Sequence, residues 1–260
     1  KNRKESEKNI FVINLSEGFR GNNREAHFSS ILELLDIPYS CGSHLHKALV
    51  LDKIKTKELF IANDIPTARY TVIRTYDDVS YVDMEFPLFL KPAHEGSGLG
   101  ISSYSKVNNF KELKLVSSNL LKEFNQPVLV EEFLDGEEFA IGLLGDEILP
   151  IVSVSYHDGF GSEDAKNNGG FDFFIDKNMS SKRIKELKDL ARKAFNVTLC
   201  QDLARVDIRC NAKGDPFVLE INSPPEIIPD DSTYGLALAS AGYSQEDLFK
   251  LIIENALKRY

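Results

Sequence analysis

Basic residues are in the minority: 31 Lys and Arg against 40 Asp and Glu leave a formal charge of -9 over 260 residues. That balance excludes sequence-independent nucleic-acid binding, which needs Lys and Arg to replace phosphate counterions. Long apolar runs are missing as well. The cleanest stretches, such as Phe86–Leu90, are strand-sized and fall short of the roughly 18 residues of a membrane span. Cysteine is scarce: Cys41, Cys200 and Cys210 share no Cys-x-x-Cys spacing. This excludes a disulfide framework and a zinc site, and points to free thiols in the cytoplasm. Of the five histidines only His44 and His46 lie close together, and with no third ligand nearby they read as residues of a helix start. The chain opens on Lys1 without a basic-then-apolar leader, which suggests a piece trimmed from something longer. What remains, 42% hydrophobic and 27% charged, is an ordinary globular composition of one large or two small domains.

Along the chain, residues 1–8 are polar and read as a frayed end. Ile10–Leu15 is a continuous apolar run suited to a strand buried on both faces. Phe28, Ile31, Leu32 and Leu35 carry the spacing of an amphipathic helix. A second helix is expected over Leu49–Ala62 and a short strand over Thr71–Arg74. Phe86–Lys91 reads as a strand running into the glycine loop Gly96–Gly100, with Ile101–Tyr104 strand-like again. Phe110, Leu113, Val116, Leu120 and Phe124 mark a helix. Val128–Glu132 and Glu138–Leu144 read as strands joined by the turn at Leu134–Gly136, and Leu149–Ser155 as another strand. His157–Gly170 is a long polar stretch with four glycines, the pattern of a lid that lacks apolar anchors. A helix around Leu187 and Leu190 follows, then strands Leu203–Arg209 and Pro216–Asn222, then a helix opened by Ser244 and Asp247.

Three segments carry chemistry. Alternate strand residues share a face, so Arg205 goes with Asp207, and Glu220 with Asn222. A hairpin folded about the Lys213–Gly214 bond sets Asp207 directly opposite Glu220. Two carboxylates and an amide oxygen so placed suit Mg²⁺, with Arg205 beside them to hold a developing anion. The same spacing also fits a solvated face on which Arg205 and Asp207 form a salt bridge. The segment Phe89–Ile101 places Lys91 before a glycine loop that is neither a Walker nor a Rossmann loop. Its backbone N–H groups can turn toward phosphate, or the glycines can be a tight structural turn. The segment Val128–Phe139 ends a strand in carboxylates beside a turn, offering groups for an adenine edge and a ribose, or else simply an acidic hairpin.

Together and in order, the motifs KPAHEGSGLGI (91–101), LVEEFLDGEEF (129–139), ARVDI (204–208) and LEINSPP (219–225) resemble the ATP-grasp superfamily, and within it the D-alanine–D-alanine ligase family. The likeness includes Asn14–Gly18, Glu33–Tyr39 and Leu51–Lys53. It implies an α/β (α+β) ATP-grasp fold: a partial α/β domain over 1–55, then two α+β subdomains over 56–136 and 137–260 that grip ATP. It implies that Lys53 and Lys91, helped by Ser97, hold phosphates. Glu131, Phe133, Leu134 and Leu219 line the adenine site, and Glu138 meets the ribose. Asp207, Glu220 and Asn222 bind two Mg²⁺ ions, with Mn²⁺ able to substitute. Arg205 steadies the transferred phosphoryl group, and Lys166 reaches the phosphates from a lid. The implied reaction joins a carboxylate to an amine through an acyl phosphate, on amino-acid or peptide substrates, in a protein that can be a homodimer and has no nucleic-acid or membrane partner.

The substrate half departs from the family pattern. Ser97 is followed by Gly98 instead of a second serine, Lys166 by Asn167 instead of tyrosine, and Pro225 by Glu226 instead of glycine. The acidic residue that grips the first amine has no counterpart in sequence. A ligase of other amino acids or dipeptides, or a nucleotide-binding module without catalysis, are the alternatives. Retention of Arg205, Asp207, Glu220 and Asn222 together favours catalysis.

Overall fold

Alternation of apolar and polar residues sorts the strands into two antiparallel sheets in this computed structural model, which describes residues 10–162, 165, 168–229 and 231–260. The first sheet holds β1 (Tyr70–Ile73), β2 (Leu88–Pro92), β3 (Lys106–Val107) and β4 (Val128–Glu132), in the order β1-β4-β2-β3. Leu88, Leu90, Val128 and Val130 face one way, under Leu113 and Leu120 of helix α4 (Phe110–Phe124). Asn109 starts that helix by accepting the Glu112 N–H, and Asn125 ends it in the left-handed conformation at φ 50°. The alternate residues Phe89, Lys91, Leu129 and Glu131 must face the other way, with Phe89 opposite Glu131 and Lys91 opposite Leu129. There they meet helix α3 (Lys53–Ala62), whose Ile54 packs on Leu129 and Ala93.

The second sheet holds β5 (Glu138–Leu144), β6 (Glu147–Tyr156), β7 (Phe171–Phe174), β8 (Leu203–Cys210) and β9 (Pro216–Asn222), in the order β7-β6-β5-β8-β9. Phe139, Ile141, Val206, Ile208 and Val218 lie under Leu187, Leu190 and Ala194 of helix α5 (Ser181–Val197). On the opposite face Ala140, Leu144, Leu149 and Val152 are covered by helices α6 (Thr233–Ser240) and α7 (Gln245–Leu257). Gly142 lets Tyr234 of α6 approach, since a Cβ there would fall 2.8 Å from Leu149 and 3.1 Å from the Tyr234 ring. Further along, the same face carries Glu138, Tyr156, Asp207 and Arg209, which line a recess.

Helices α1 (Ala26–Leu34) and α2 (His44–Leu51) complete the fold beside α3. The C-terminus is stapled to Tyr39 and Cys41 through Asp202. The Asp202 carboxylate, with no solvent exposure, accepts the Cys41 N–H at 2.7 Å and is gripped by both Arg259 Nη groups. The Tyr260 hydroxyl accepts the Tyr39 N–H at 3.2 Å. No helix among the described residues is long and apolar enough to cross a membrane.

The α+β architecture is the expected one, with local departures. Ile10–Leu15 forms no multi-residue strand; Val12 makes a single parallel bridge to Tyr39. Of the apolar stripe expected on α1, Leu32 is buried while Phe28, Ile31 and Leu35 are exposed. The helix turns Ser29 inward because its hydroxyl is satisfied there, accepting from Asn14 and donating to Gly42 O, both at 3.1 Å. The expected helix over Leu49–Ala62 is broken at Asp52, which leaves α2 in an extended conformation and caps α3 through the Ile54 and Lys55 N–H groups. Ile101–Tyr104 is a turn, and the strand after it is the two-residue β3. Strands β4 and β5 belong to different sheets, so the segment between them is a crossover and not a hairpin. The 3-10 helix at Tyr76–Tyr81, strand β7 and helix α6 were not foreseen.

Replacing Arg259 by Met keeps the aliphatic stem and leaves Asp202 a buried charge without its cation. Urea unfolding should show a loss of about 3 kcal/mol. A midpoint equal to wild type would show that the staple contributes nothing.

Candidate active site

Strands β8 and β9 pair Arg205 with Asn222 and Asp207 with Glu220, the juxtaposition expected from the sequence. The route to it differs. Near the turn Cys210 pairs with Pro216 and Ile208 with Val218, so the turn centres on Lys213 and not on the Lys213–Gly214 bond. A bulge at Leu219 supplies one extra residue and carries Glu220 back into line with Asp207. Arg205 donates to both Asp207 oxygens, at 2.7 and 2.8 Å, and Asn222 Nδ2 donates to the same carboxylate at 2.8 Å. Burial alone would lower the pKa of Arg205, but Asp207 outweighs it and raises the pKa. Lys53 Nζ lies 3.5 Å from Glu220. The salt-bridged arrangement is thus the one seen, and it also keeps hard oxygen donors together. Among the described residues no three His, Cys, Asp or Glu side chains converge as a cage. Two carboxylates and an amide suit Mg²⁺, which keeps waters and shares phosphate oxygens.

On the facing sheet Glu131 is buried, 3% exposed, between two lysines: Lys57 at 2.6 Å and Lys91 at 2.8 Å. Burial pushes the Glu131 pKa up, but the two ammonium groups pull it below the ordinary carboxylate value. Burial likewise opposes the charge on Lys91, and Glu131 and Glu220 more than reverse that. Lys57, held also by Thr67 Oγ1 at 2.6 Å and Ala68 O at 3.2 Å, is lowered by burial despite Glu131. Lys57 escaped the sequence reading, although it follows Lys53 at the i, i+4 spacing that puts both on one face of α3.

The glycine loop is tied down at its base. Lys53 N–H donates to Ala93 O at 3.0 Å, and Lys53 Nζ donates to Glu95 O. Arg24 donates to His94 O at 2.8 Å and to Glu95 Oε2 at 3.0 Å, and Gln126 donates to Glu95 Oε1 at 2.7 Å. Above this base Ser97 is exposed, in the left-handed region at φ 54°. A Cβ on Gly100 would lie 2.5 Å from Pro92, which is why glycine closes the loop.

Two recesses meet at Glu220. The first gathers Lys91, Glu131, Phe133, Leu134, Glu138, Asp207, Leu219 and Glu220, all expected, and adds Phe89, Tyr156, Phe160 and Arg209. The second gathers Lys53, Ser97, Glu220 and Asn222, and adds Glu17, Arg24 and Glu25 from the N-terminal segment. Glu17 and Glu25 thus give the second recess two carboxylates that the sequence reading did not assign; burial raises the Glu25 pKa. Arg205 enters through its pair with Asp207. Lys166 lies outside the described residues.

The described part of the expected lid does have an apolar anchor. Phe160 packs edge-on against Phe89 and Phe133, at ring distances of 5.4 and 6.5 Å. Asp158 shapes this turn by accepting the N–H groups of Phe160, Gly161 and Ser162 at 2.9–3.1 Å. Burial would raise the Asp158 pKa, but the hydrogen bonds from Ser162, Phe160 and Gly161 hold it down at about 2. Arg209 links turn and pocket, donating to Gly159 O at 2.5 Å and to Glu138 at 3.1 Å.

Residues 59–254 match the family described as "D-ala D-ala ligase C-terminus". An uncharacterised protein, y4sG, of Sinorhizobium fredii is 33% identical over 257 residues, which is 96% of this chain and 75% of that protein. The D-alanine–D-alanine ligase of Nitrosococcus oceani is 31% identical over 232 residues, covering 88% of this chain and 72% of that enzyme. The solved D-alanine–D-alanine ligase of Bacillus anthracis complexed with ATP has a TM-score of 0.75 at 22% identity, over 89% of this chain and 74% of that one. The ligase of Coxiella burnetii gives 0.77 at 21% identity, over 96% and 68%. These structures establish the likeness of fold.

Replacing Asp158 by Ala should free three backbone N–H groups and loosen Phe160. Because the Asp158 pKa is depressed, its contribution is complete above the ordinary value of 3.8 and is lost as pH falls toward about 2. Pepsin should therefore cut wild type at Phe160 increasingly below pH ~4, and cut Asp158→Ala there already at the upper end of that range. Equal cleavage of both proteins at pH ~4 would remove Asp158 from this role.

Proposed function

The chain belongs to the D-alanine–D-alanine ligase family of ATP-dependent ligases, and on that premise we propose that it joins the carboxylate of one amino acid or small peptide to the amine of another through an acyl phosphate. The observation that carries this reading is the sharing of Glu220 by both recesses. A nucleotide lying in the aromatic recess brings its phosphates to Glu220, at the wall of a polar chamber open to a second substrate.

Phe133, Leu134 and Leu219 provide an apolar bed for adenine, with Glu131 at its edge, and Glu138, steered by Arg209, meets the ribose. Lys91 and Lys53 approach the phosphates from the first sheet and from α3, with Ser97 above them. Lys166 is assigned to the phosphates from the lid. Asp207, Glu220 and Asn222 would hold two Mg²⁺ ions, with Mn²⁺ able to substitute, and bound metal would neutralise the triphosphate and clamp its oxygens. Arg205 stays beside Asp207 and offers its charge to the phosphoryl group as negative charge builds there. Phosphoryl transfer asks a protein for position and charge, and this site supplies both without a protein nucleophile. The substrate carboxylate attacks the γ-phosphate, ADP departs, and the amine then displaces phosphate. Phe160 and its turn help keep water from the acyl phosphate. Glu17 and Glu25 give the polar chamber acceptors for an ammonium group. Gly98 in place of a second serine favours amino acids other than D-alanine.

ADP release should depend on added amino acids, with D-alanine below the best of a panel by about tenfold, the worth of one charged hydrogen bond. Glu220→Gln should lower turnover by roughly a hundredfold or more while thermal unfolding stays unchanged. Amino-acid-independent ADP release, or near-normal turnover in Glu220→Gln, would contradict the reading.

A further inference from the structure

Lys57, Glu131 and Lys91 form a closed set, with relative exposures of 1%, 3% and 5%. Three acceptors surround Lys57 Nζ: Glu131 Oε1, Thr67 Oγ1 and Ala68 O, at 2.6, 2.6 and 3.2 Å. Two of these, Thr67 Oγ1 and Ala68 O, accept hydrogen bonds from Lys57, and the ion pair with Glu131 makes Lys57 the fixed cation of the set. Lys91, also cationic, has its 2.8 Å contact with Glu131 and lines the aromatic recess. Lys57 does not line it. The set therefore carries two positive charges and one negative, and the excess positive charge faces the recess through Lys91.

We propose that Lys57 is a positioning residue for nucleotide phosphate: by neutralising Glu131 it leaves the charge of Lys91 available to the phosphates. This rests on the nucleotide reading of the aromatic recess. Were Lys57 absent, Lys91 would be the sole neutraliser of Glu131. Turning Lys91 toward a phosphate would then leave a nearly buried carboxylate without a cation, a cost that falls on ligand binding. With Lys57 fixed at 2.6 Å, Lys91 can turn without that cost. Lys57 touches no ligand in this account; it acts through Glu131.

The charge count makes a test that packing alone would not pass. The quantity read is the ratio of ADP affinity to adenosine affinity, by calorimetry in magnesium-free buffer, so that the protein's own cations meet the phosphates. Wild type should bind ADP well above adenosine. Lys57→Met should cut that ratio by about 10- to 100-fold, with adenosine affinity little changed. Adding Glu131→Gln to Lys57→Met restores one net positive charge and should return the ratio to within about threefold of wild type. Glu131→Gln alone leaves two net positive charges and should raise the ratio above wild type. If Lys57→Met fails to fold, the single Glu131→Gln variant decides the matter. A ratio unchanged in Lys57→Met, not restored in the double variant, or not raised in Glu131→Gln would overturn the proposal. A wild-type ratio near one would overturn the nucleotide reading beneath it.

Discussion

Glu131 is a carboxylate buried between Lys57 and Lys91, and the placement of the first sheet against α3 depends on keeping that charge balanced. A lone buried carboxylate would cost several kcal/mol, and so would either lysine without it. The set forces α3 to present Lys57 to the sheet, and helical geometry then swings Lys53, one turn earlier, toward Glu220. One helix thus reaches both sheets: Ile54 and Lys57 hold the first, and Lys53 meets the acidic edge of the second. The recess between them follows from that arrangement.

The opposite wall is arranged by strand parity. Val206 and Ile208 are committed to the core under α5, so Arg205, Asp207 and Arg209 must emerge together on the other face. The polar residues of β8 are accordingly consumed in pairs: Arg205 with Asp207, and Arg209 with Glu138. Each cation limits the repulsion between the carboxylates gathered on this wall. The bulge at Leu219 shows how narrow the geometric tolerance is, since without its extra residue Glu220 would not stand opposite Asp207.

Parity and motif order were legible in the sequence; turn geometry and satisfied polar burial were not. The Asp207–Glu220 pairing was foreseen from a turn centre half a residue away from the real one, and it held because the bulge compensates. Eight of the assigned side chains line one recess: strand alternation brings Lys91, Glu131, Glu138 and Asp207 there, the segment after β4 adds Phe133 and Leu134, and the bulge lets Leu219 and Glu220 both face it. The outward turn of Phe28, Ile31 and Leu35 beside buried Leu32 was not legible, because hydrophobic spacing cannot reveal that Ser29 finds partners in Asn14 and Gly42. The break at Asp52 was likewise hidden, although an Asp before a lysine-rich helical run is a cap signal. Phe160 was overlooked because a single aromatic among glycines reads as loop until Phe89 and Phe133 are found beside it. Lys57, Arg209 and Arg24 act through long-range partners, which spacing alone does not disclose.

On the proposed reaction a substrate carboxylate, and not water, takes the phosphoryl group. Following ¹⁸O from a carboxylate-labelled amino-acid substrate into inorganic phosphate tests it most directly. One ¹⁸O atom should appear in each phosphate released per amide formed, because the oxygen that attacks ATP leaves with phosphorus when the amine arrives. Release of unlabelled phosphate from the same incubation would mean that ATP is hydrolysed by water, and would contradict the acyl-phosphate route.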